Sequence, residues 1–301
     1  MTVLVIGKSG QIARALARLQ PISNLDYSFA GHDKVDLRRR ETLEAAIDRV
    51  KPRMVINAAA YTAVDRAEIE PAVAYAVNAD GPGFLAVICR QAGIPLIQLS
   101  TDYVFDGAKG SPYTPHDLVN PLNVYGASKA AGETAVREAL PEHVILRLAW
   151  VYSEAGRNFV TSMLNLADSH LELRVVADQT GTPTYASDAA WAIDRIAANL
   201  LSNATGWGTY HLTNLGETNW CAFAETIFAM AARFGRRVPK LIPVTTKEYA
   251  AAAPRPVYTV LDTILTCQQF LISMPHWQQG LERCIVSLCA NGTTPKQDNV
   301  K

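Results

Sequence analysis

The 301-residue chain has no excess of either charge, with Lys plus Arg and Asp plus Glu standing at 28 each. A balanced surface offers no field to draw in nucleic acid or an anionic membrane, so neither is expected as a partner. No apolar run approaches the roughly 18–20 residues that a bilayer span needs. Met1-Thr2-Val3-Leu4-Val5-Ile6 lacks a basic flank and a small-residue cleavage site, and reads as a first strand rather than an export signal. The five cysteines, Cys89, Cys221, Cys267, Cys284 and Cys289, are odd in number and form no Cys-x-x-Cys pair. Reduced thiols in a cytoplasm fit that set. The histidines are scattered and no His-Glu-x-x-His occurs, so no protein-only metal site is expected. A Walker-type phosphate loop is missing too, because Gly7-Lys8-Ser9 opens its glycine motif where that loop would end in Gly-Lys-Ser.

Strands and helices alternate through the first half of the chain. Val3 to Ile6 is a β-branched run bounded by glycine, followed by Gly7-Lys8-Ser9-Gly10-Gln11-Ile12-Ala13 and a helical stretch to Gln20. Strand, glycine turn and helix in that order suit a pyrophosphate. One glycine makes the turn, the next admits the phosphate, and the helix start supplies free amides. Asp26 to Ala30 reads as a second strand. No acid ends it to grip a ribose 2′-hydroxyl; His32 and Lys34, with Arg38 to Arg40 nearby, suit a 2′-phosphate instead. NADPH is the expected cofactor, with NADH open. Asp36, beside Leu37, either caps the next helix or lies near the adenine.

Arg53 to Asn57 is a third strand, and it runs into Ala58, Ala59, Ala60 and Tyr61, small residues that leave room for a flat cofactor. Ile94 to Leu99 is a fourth, ending at Ser100 and Thr101, where ligands bind in parallel sheets. Tyr125 and Lys129 then stand four apart on a helix and share a face. A phenol titrates near 10, and a fixed cation beside it should pull that value down toward useful acid–base work. His143 to Leu148 is a fifth strand. Beyond it come a strand at Leu173 to Ala177, a helix capped by Ser187, a strand at Thr209 to Thr213, a helix following Thr218, a strand at Lys240 to Val244 and two terminal helices.

The alternation predicts an α/β chain built on a doubly wound parallel sheet. Residues 1–150, taking in about 173–215, form the expected dinucleotide-binding unit. Residues 151–172 and 216–290 form a smaller α/β substrate-binding region, and 291–301 a flexible tail.

Several blocks resemble one family in order along nearly the whole chain: Asn57 to Glu68, Ser100 to Gly107, Pro121 to Gly126, Arg147-x-x-Trp150-Val151-Tyr152, Asp178-Gln179-x-Gly181-x-Pro183-Thr184, and Arg255-Pro256. Together they resemble the dTDP-4-dehydrorhamnose reductases, which are extended short-chain dehydrogenases/reductases with a Rossmann fold. The resemblance implies reduction of dTDP-6-deoxy-L-lyxo-4-hexulose to dTDP-L-rhamnose by a nicotinamide nucleotide. It makes Tyr125 the general acid, Lys129 the holder of the nicotinamide ribose, and Thr101 a hydrogen-bond partner of the C4 carbonyl. Gly7, Lys8, Ser9, Gly10, Gln11, Ile12, Asp36, Leu37, Ala58, Ala59, Ala60 and Tyr61 would bind the cofactor. Val64, Asp102, Tyr103 and Trp150 would face the dTDP-sugar, and Arg255 would meet its phosphates. The family often carries Arg-Pro-x-x-Ser-x-Leu-Asp where this chain has Thr259. Some members are dimers bridged by a metal on a first-helix glutamate, but Gln11 to Gln20 holds no acid, so neither metal nor dimer is carried over. Assembly stays open between monomer and homodimer. Two other readings remain: a reductase or epimerase on another nucleotide sugar, and a non-catalytic dinucleotide-binding regulatory subunit of a methionine adenosyltransferase.

Overall fold

The computed structural model describes residues 1–290; the expected tail at 291–301 lies outside them. The chain begins β1 (Thr2–Ile6), α1 (Gln11–Leu19), β2 (Asp26–Ala30), α2 (Arg40–Val50), β3 (Met54–Asn57), α3 (Val64–Ala67), α4 (Pro71–Tyr75). A π turn (Ala76–Asp80) leads to α5 (Gly81–Ala92) and β4 (Leu96–Thr101); a 3-10 turn (Asp102–Val104) precedes α6 (Val124–Ala139) and β5 (His143–Leu148). Then come β6 (Val151–Tyr152), α7 (Phe159–Ser169), β7 (Glu172–Val176), β8 (Thr180–Gly181), β9 (Thr184–Tyr185), α8 (Ala186–Asn203) and β10 (Gly208–His211). The last elements are β11 (Thr218–Asn219), α9 (Trp220–Ala232), β12 (Lys240–Val244), α10 (Thr246–Tyr249), α11 (Ile264–Phe270) and α12 (Trp277–Ala290).

Six parallel strands make the main sheet, in the order β2-β1-β3-β4-β5-β10. Helices cover both faces, which is why its strands read as continuous apolar runs. From β1, Val3 and Val5 face α1 and α8, packing with Ile12, Leu16, Ile193 and Ile196. Leu4 and Ile6 face the other way, onto Leu43 and Ile47 of α2, Leu85 of α5 and Val136 of α6. Each such side chain contributes roughly 1.5–3 kcal/mol by leaving water. The chain leaves β1 toward β2 on one side and returns as β3 on the other, so a crevice opens at the carboxyl ends of β1 and β3.

The second unit has its own core, in which α7, α9 and α12 bring together Val160, Leu164, Phe223, Ile227, Phe228, Leu281 and Ile285. Three expectations change here. The strand at 173–177, assigned to the dinucleotide-binding unit, is β7, and it pairs in parallel with β12 in a separate two-stranded sheet. The chain rejoins the main sheet only through α8 and β10. Ser187 does not cap α8, which begins at Ala186 after Tyr185 without a side-chain cap. Finally, Pro71–Ala92 is a helical run of 22 residues, long and apolar enough by composition to cross a membrane, and half of its apolar window is buried inside the fold.

Candidate active site

The crevice is a cavity of about 770 Å³. Gly7, at its head, has φ +108°, and a Cβ there would lie 2.9 Å from the Ala59 nitrogen. Only glycine lets the end of β1 turn this close to the end of β3. Next, α1 starts at Gly10 with no side-chain cap and no acid in its first turn. By contrast α6, α7 and α9 begin on asparagine caps (Asn123, Asn158 and Asn219). The uncapped amides of α1 are donors left for an anion. Gly7, Lys8, Ser9, Gly10, Gln11, Ile12, Asp36, Leu37, Ala58, Ala59, Ala60 and Tyr61 all line this cavity. Asn78 holds the far edge, accepting from the Tyr61 amide (2.9 Å) and donating to the Tyr61 carbonyl (3.0 Å) and to Ser128 Oγ (3.0 Å). It faces inward, not solvent. These residues fit a dinucleotide: a glycine cradle, free helix amides and an alanine-lined wall.

Thr101, Tyr125 and Lys129 line the same cavity, with Asp102 and Trp150 beside them. Asn123 Oδ1 accepts the Gly126 amide (2.8 Å) and starts α6. Gly126 allows that start to lie against the 3-10 turn that follows β4, because a Cβ there would run into the Tyr103 carbonyl oxygen. Tyr125 and Lys129 then point into the crevice one turn apart. Lys129, 4% exposed, donates from Nζ to the Leu99 carbonyl at 2.6 Å. Burial lowers its ammonium to about 8, and the Glu133 carboxylate works against that fall.

The expectation that Lys129 draws the Tyr125 phenol down is not met. Burial pushes Tyr125 up to about 12 and the Asp102 charge adds to the rise, while the Thr101 hydroxyl opposes it. The phenol therefore keeps its proton throughout the neutral range, the form a proton donor needs. Asp102 is itself buried, which raises its carboxyl to about 6 against hydrogen bonds from Thr259 and Thr101. Thr101 Oγ1 donates to Asp102 Oδ1 at 3.0 Å and accepts the Tyr103 amide at 3.2 Å.

The family model described as RmlD substrate binding domain matches residues 1–289. The chain belongs to that family. A dTDP-4-dehydrorhamnose reductase of Sinorhizobium fredii is 42% identical over 294 residues, covering 97% of this chain and 99% of its own. A crystal structure of a dTDP-4-dehydrorhamnose reductase from Clostridium acetobutylicum superposes with a TM-score of 0.88 at 35% identity, covering 96% of this chain and 99% of the other. One from Bacillus anthracis, solved in complex with NADP, gives 0.87 at 35% identity and covers 95% and 99%.

Other residues expected to meet a ligand fall elsewhere in this RmlD-family chain. Val64 opens α3 and does not line the cavity. Tyr103 packs edge-on against Tyr125, with ring centroids 5.9 Å apart at 71°, and is likewise outside the lining. Arg255 closes a two-pronged bond on Asp65, at 3.0 and 2.8 Å, so its fork is held by a carboxylate. Asp36 does not cap α2, whose first residue follows Arg39 without a side-chain cap; its carboxylate takes Arg38 Nε at 3.0 Å and Nη2 at 2.7 Å. Arg39 pairs with Glu41 and Arg40 with Glu44. Of the residues expected near a 2′-phosphate, His32 and Arg38 line the cavity, and Arg38 is already paired. Among the described residues no three His, Cys, Asp or Glu side chains cluster as a metal site would need.

The sequence reading missed three features. Gly156 and Arg157, between β6 and α7, also line the cavity. Trp150, held at φ 46°, stacks on Trp220 with centroids 3.4 Å apart at 8°, so its indole is one face of a double wall. Behind β4, Glu133 accepts from Ser100 Oγ (2.6 Å), Arg147 Nε (2.9 Å) and Arg147 Nη2 (2.7 Å). Glu133 was findable, standing one further turn along the Tyr125–Lys129 face; its partner on another strand was not.

Proposed function

We propose that this chain reduces the C4 ketone of dTDP-6-deoxy-L-lyxo-4-hexulose to dTDP-L-rhamnose, with NADPH as its preferred donor and NADH as a possible one. The observation that carries the reading is one cavity holding both an uncapped glycine turn and a protonated Tyr125 beside Lys129 and Thr101. When bound, the dinucleotide supplies the hydride. Tyr125 gives its phenolic proton to the oxygen of the reduced carbon, and solvent restores it. Lys129, anchored on the Leu99 carbonyl, presents its ammonium at the cavity floor, where ribose hydroxyls would lie. Thr101, once its hydroxyl turns from Asp102, can donate to the same carbonyl oxygen and orient it. Trp150, backed by Trp220, offers a flat apolar wall to the sugar. The name of the 42% identical relative and the NADP in the Bacillus anthracis structure support substrate and cofactor. The five unpaired cysteines fit a cytoplasm. The intact Thr101, Tyr125 and Lys129 set weighs against a purely regulatory subunit.

The test is dinucleotide oxidation, followed by its near-ultraviolet absorbance, with the 4-keto sugar made in place from dTDP-glucose by a dehydratase and an epimerase. Oxidation should require the epimerase and run faster with NADPH than with NADH. Oxidation without the epimerase would point to a different keto sugar.

A further inference from the structure

The backbone of Gln11 belongs to the glycine turn, but its side chain points across the molecule. Nε2 donates to the Val151 carbonyl at 3.1 Å, while Oε1 accepts from Ser153 Oγ at 2.9 Å and from Asn158 Nδ2 at 3.0 Å. Asn158 also donates to the Ser153 carbonyl at 2.8 Å and caps α7 by accepting the Thr161 amide at 3.1 Å. One amide thus fastens three points of the 151–158 segment. That segment starts directly after Trp150, carries the cavity-lining Gly156 and Arg157, and is where the chain passes from the main sheet into the second unit. Nothing else in the glycine turn forms a side-chain bond to it.

We infer that Gln11 is a positioning residue, whose side chain couples occupation of the glycine turn by the dinucleotide to the placing of the Trp150 wall against the sugar nucleotide. The inference rests on the cofactor part of the reading above. An anion drawn onto the α1 amides fixes the position of Gln11, and its three bonds carry that position to the segment that aims Trp150. Coupling between two ligands is reciprocal and commonly about 5–150-fold in affinity. A residue that served only to stabilise the fold would alter binding of each ligand without altering that ratio.

The experiment is calorimetric titration of the full chain with NADP⁺, with and without saturating dTDP-glucose, and the reverse titration. In the native chain dTDP-glucose should tighten NADP⁺ binding by about 5-fold or more, with the same factor for dTDP-glucose when NADP⁺ is present. Gln11→Ala should bring the factor close to one. Ser153→Ala, which cuts one of the three bonds without touching the turn, should reduce it partly and carries the test if the first variant does not fold. NADP⁺ binding with the native factor kept in both variants would overturn the coupling and leave the cofactor reading standing. Failure of NADP⁺ to bind the native chain would overturn both.

Discussion

Besides Tyr125, two buried ionisable groups at the cavity titrate away from their ordinary values, and each gives a measurable consequence. Lys129 loses its charge above about pH 8, because burial disfavours the ammonium more than Glu133 restores it. The ammonium is the group asked to hold the ribose, so NADP⁺ affinity should fall as pH rises through about 8. Dissociation constants measured across that range check this, and a flat profile well into the alkaline range would contradict it. Asp102 titrates at about 6 when folded, above the ~3.9 of an unfolded aspartate. The native chain binds that proton more tightly, so its stabilising contribution is complete below about pH 4 and is lost as pH rises through 6. Asp102→Asn escapes the loss. Relative to the native chain, the variant should gain roughly 2–3 kcal/mol between about pH 4 and pH 8, read by denaturant unfolding at each pH. An unchanged difference would show that Asp102 does not hold its proton as described.

At the level of elements, α6, β4 and β5 are bolted together by Glu133 and Arg147, whose side chains are 0% and 2% exposed. Arg147 also lies over the Phe105 ring, 5.0 Å from its centroid. Removing Arg147 leaves the buried Glu133 carboxylate on the partly exposed Arg137, at 3.2 Å, and on the Ser100 hydroxyl. Arg147→Met should therefore cost about 3 kcal/mol, the low end for a broken buried pair, whereas joining it with Glu133→Leu should recover most of that loss. Thermal unfolding of the two variants decides this, and equal losses would mean that packing rather than charge carries the site. The strands of the main sheet were legible because burial on both faces leaves an apolar run that periodicity detects. The same logic could not say which sheet Leu173 to Ala177 would join, since five residues of strand carry no record of their partner. Ser187 reads as a cap in sequence but lies inside α8, whereas Asn219, next to the Thr218 that precedes α9, accepts the Ala222 amide at 2.8 Å. Arg38, Arg39 and Arg40 read as free cations until their neighbouring acids are seen to hold them. The Trp150–Trp220 stack joins residues seventy positions apart and leaves no local signal.

For the molecule as a whole, the parallel sheet gives the crevice, and the second unit brings Trp220 onto the cavity-lining Trp150 at its edge. The strand end marks Thr101 and the helical spacing marks Tyr125 and Lys129, the resemblance gives them roles, and one cavity collects all three. Neither spacing nor resemblance reveals that Arg255 is engaged by Asp65, nor that burial rather than Lys129 governs the phenol. The central claim is that this crevice reduces a nucleotide keto sugar with Tyr125 as proton donor. The most direct measurement compares turnover of the epimerised 4-keto sugar by the native chain and by Tyr125→Phe, with NADP⁺ affinity measured on both. Loss of the general acid should slow turnover by about 10²-fold or more while leaving NADP⁺ affinity and unfolding temperature nearly unchanged. Equal turnover by the two proteins would contradict the account.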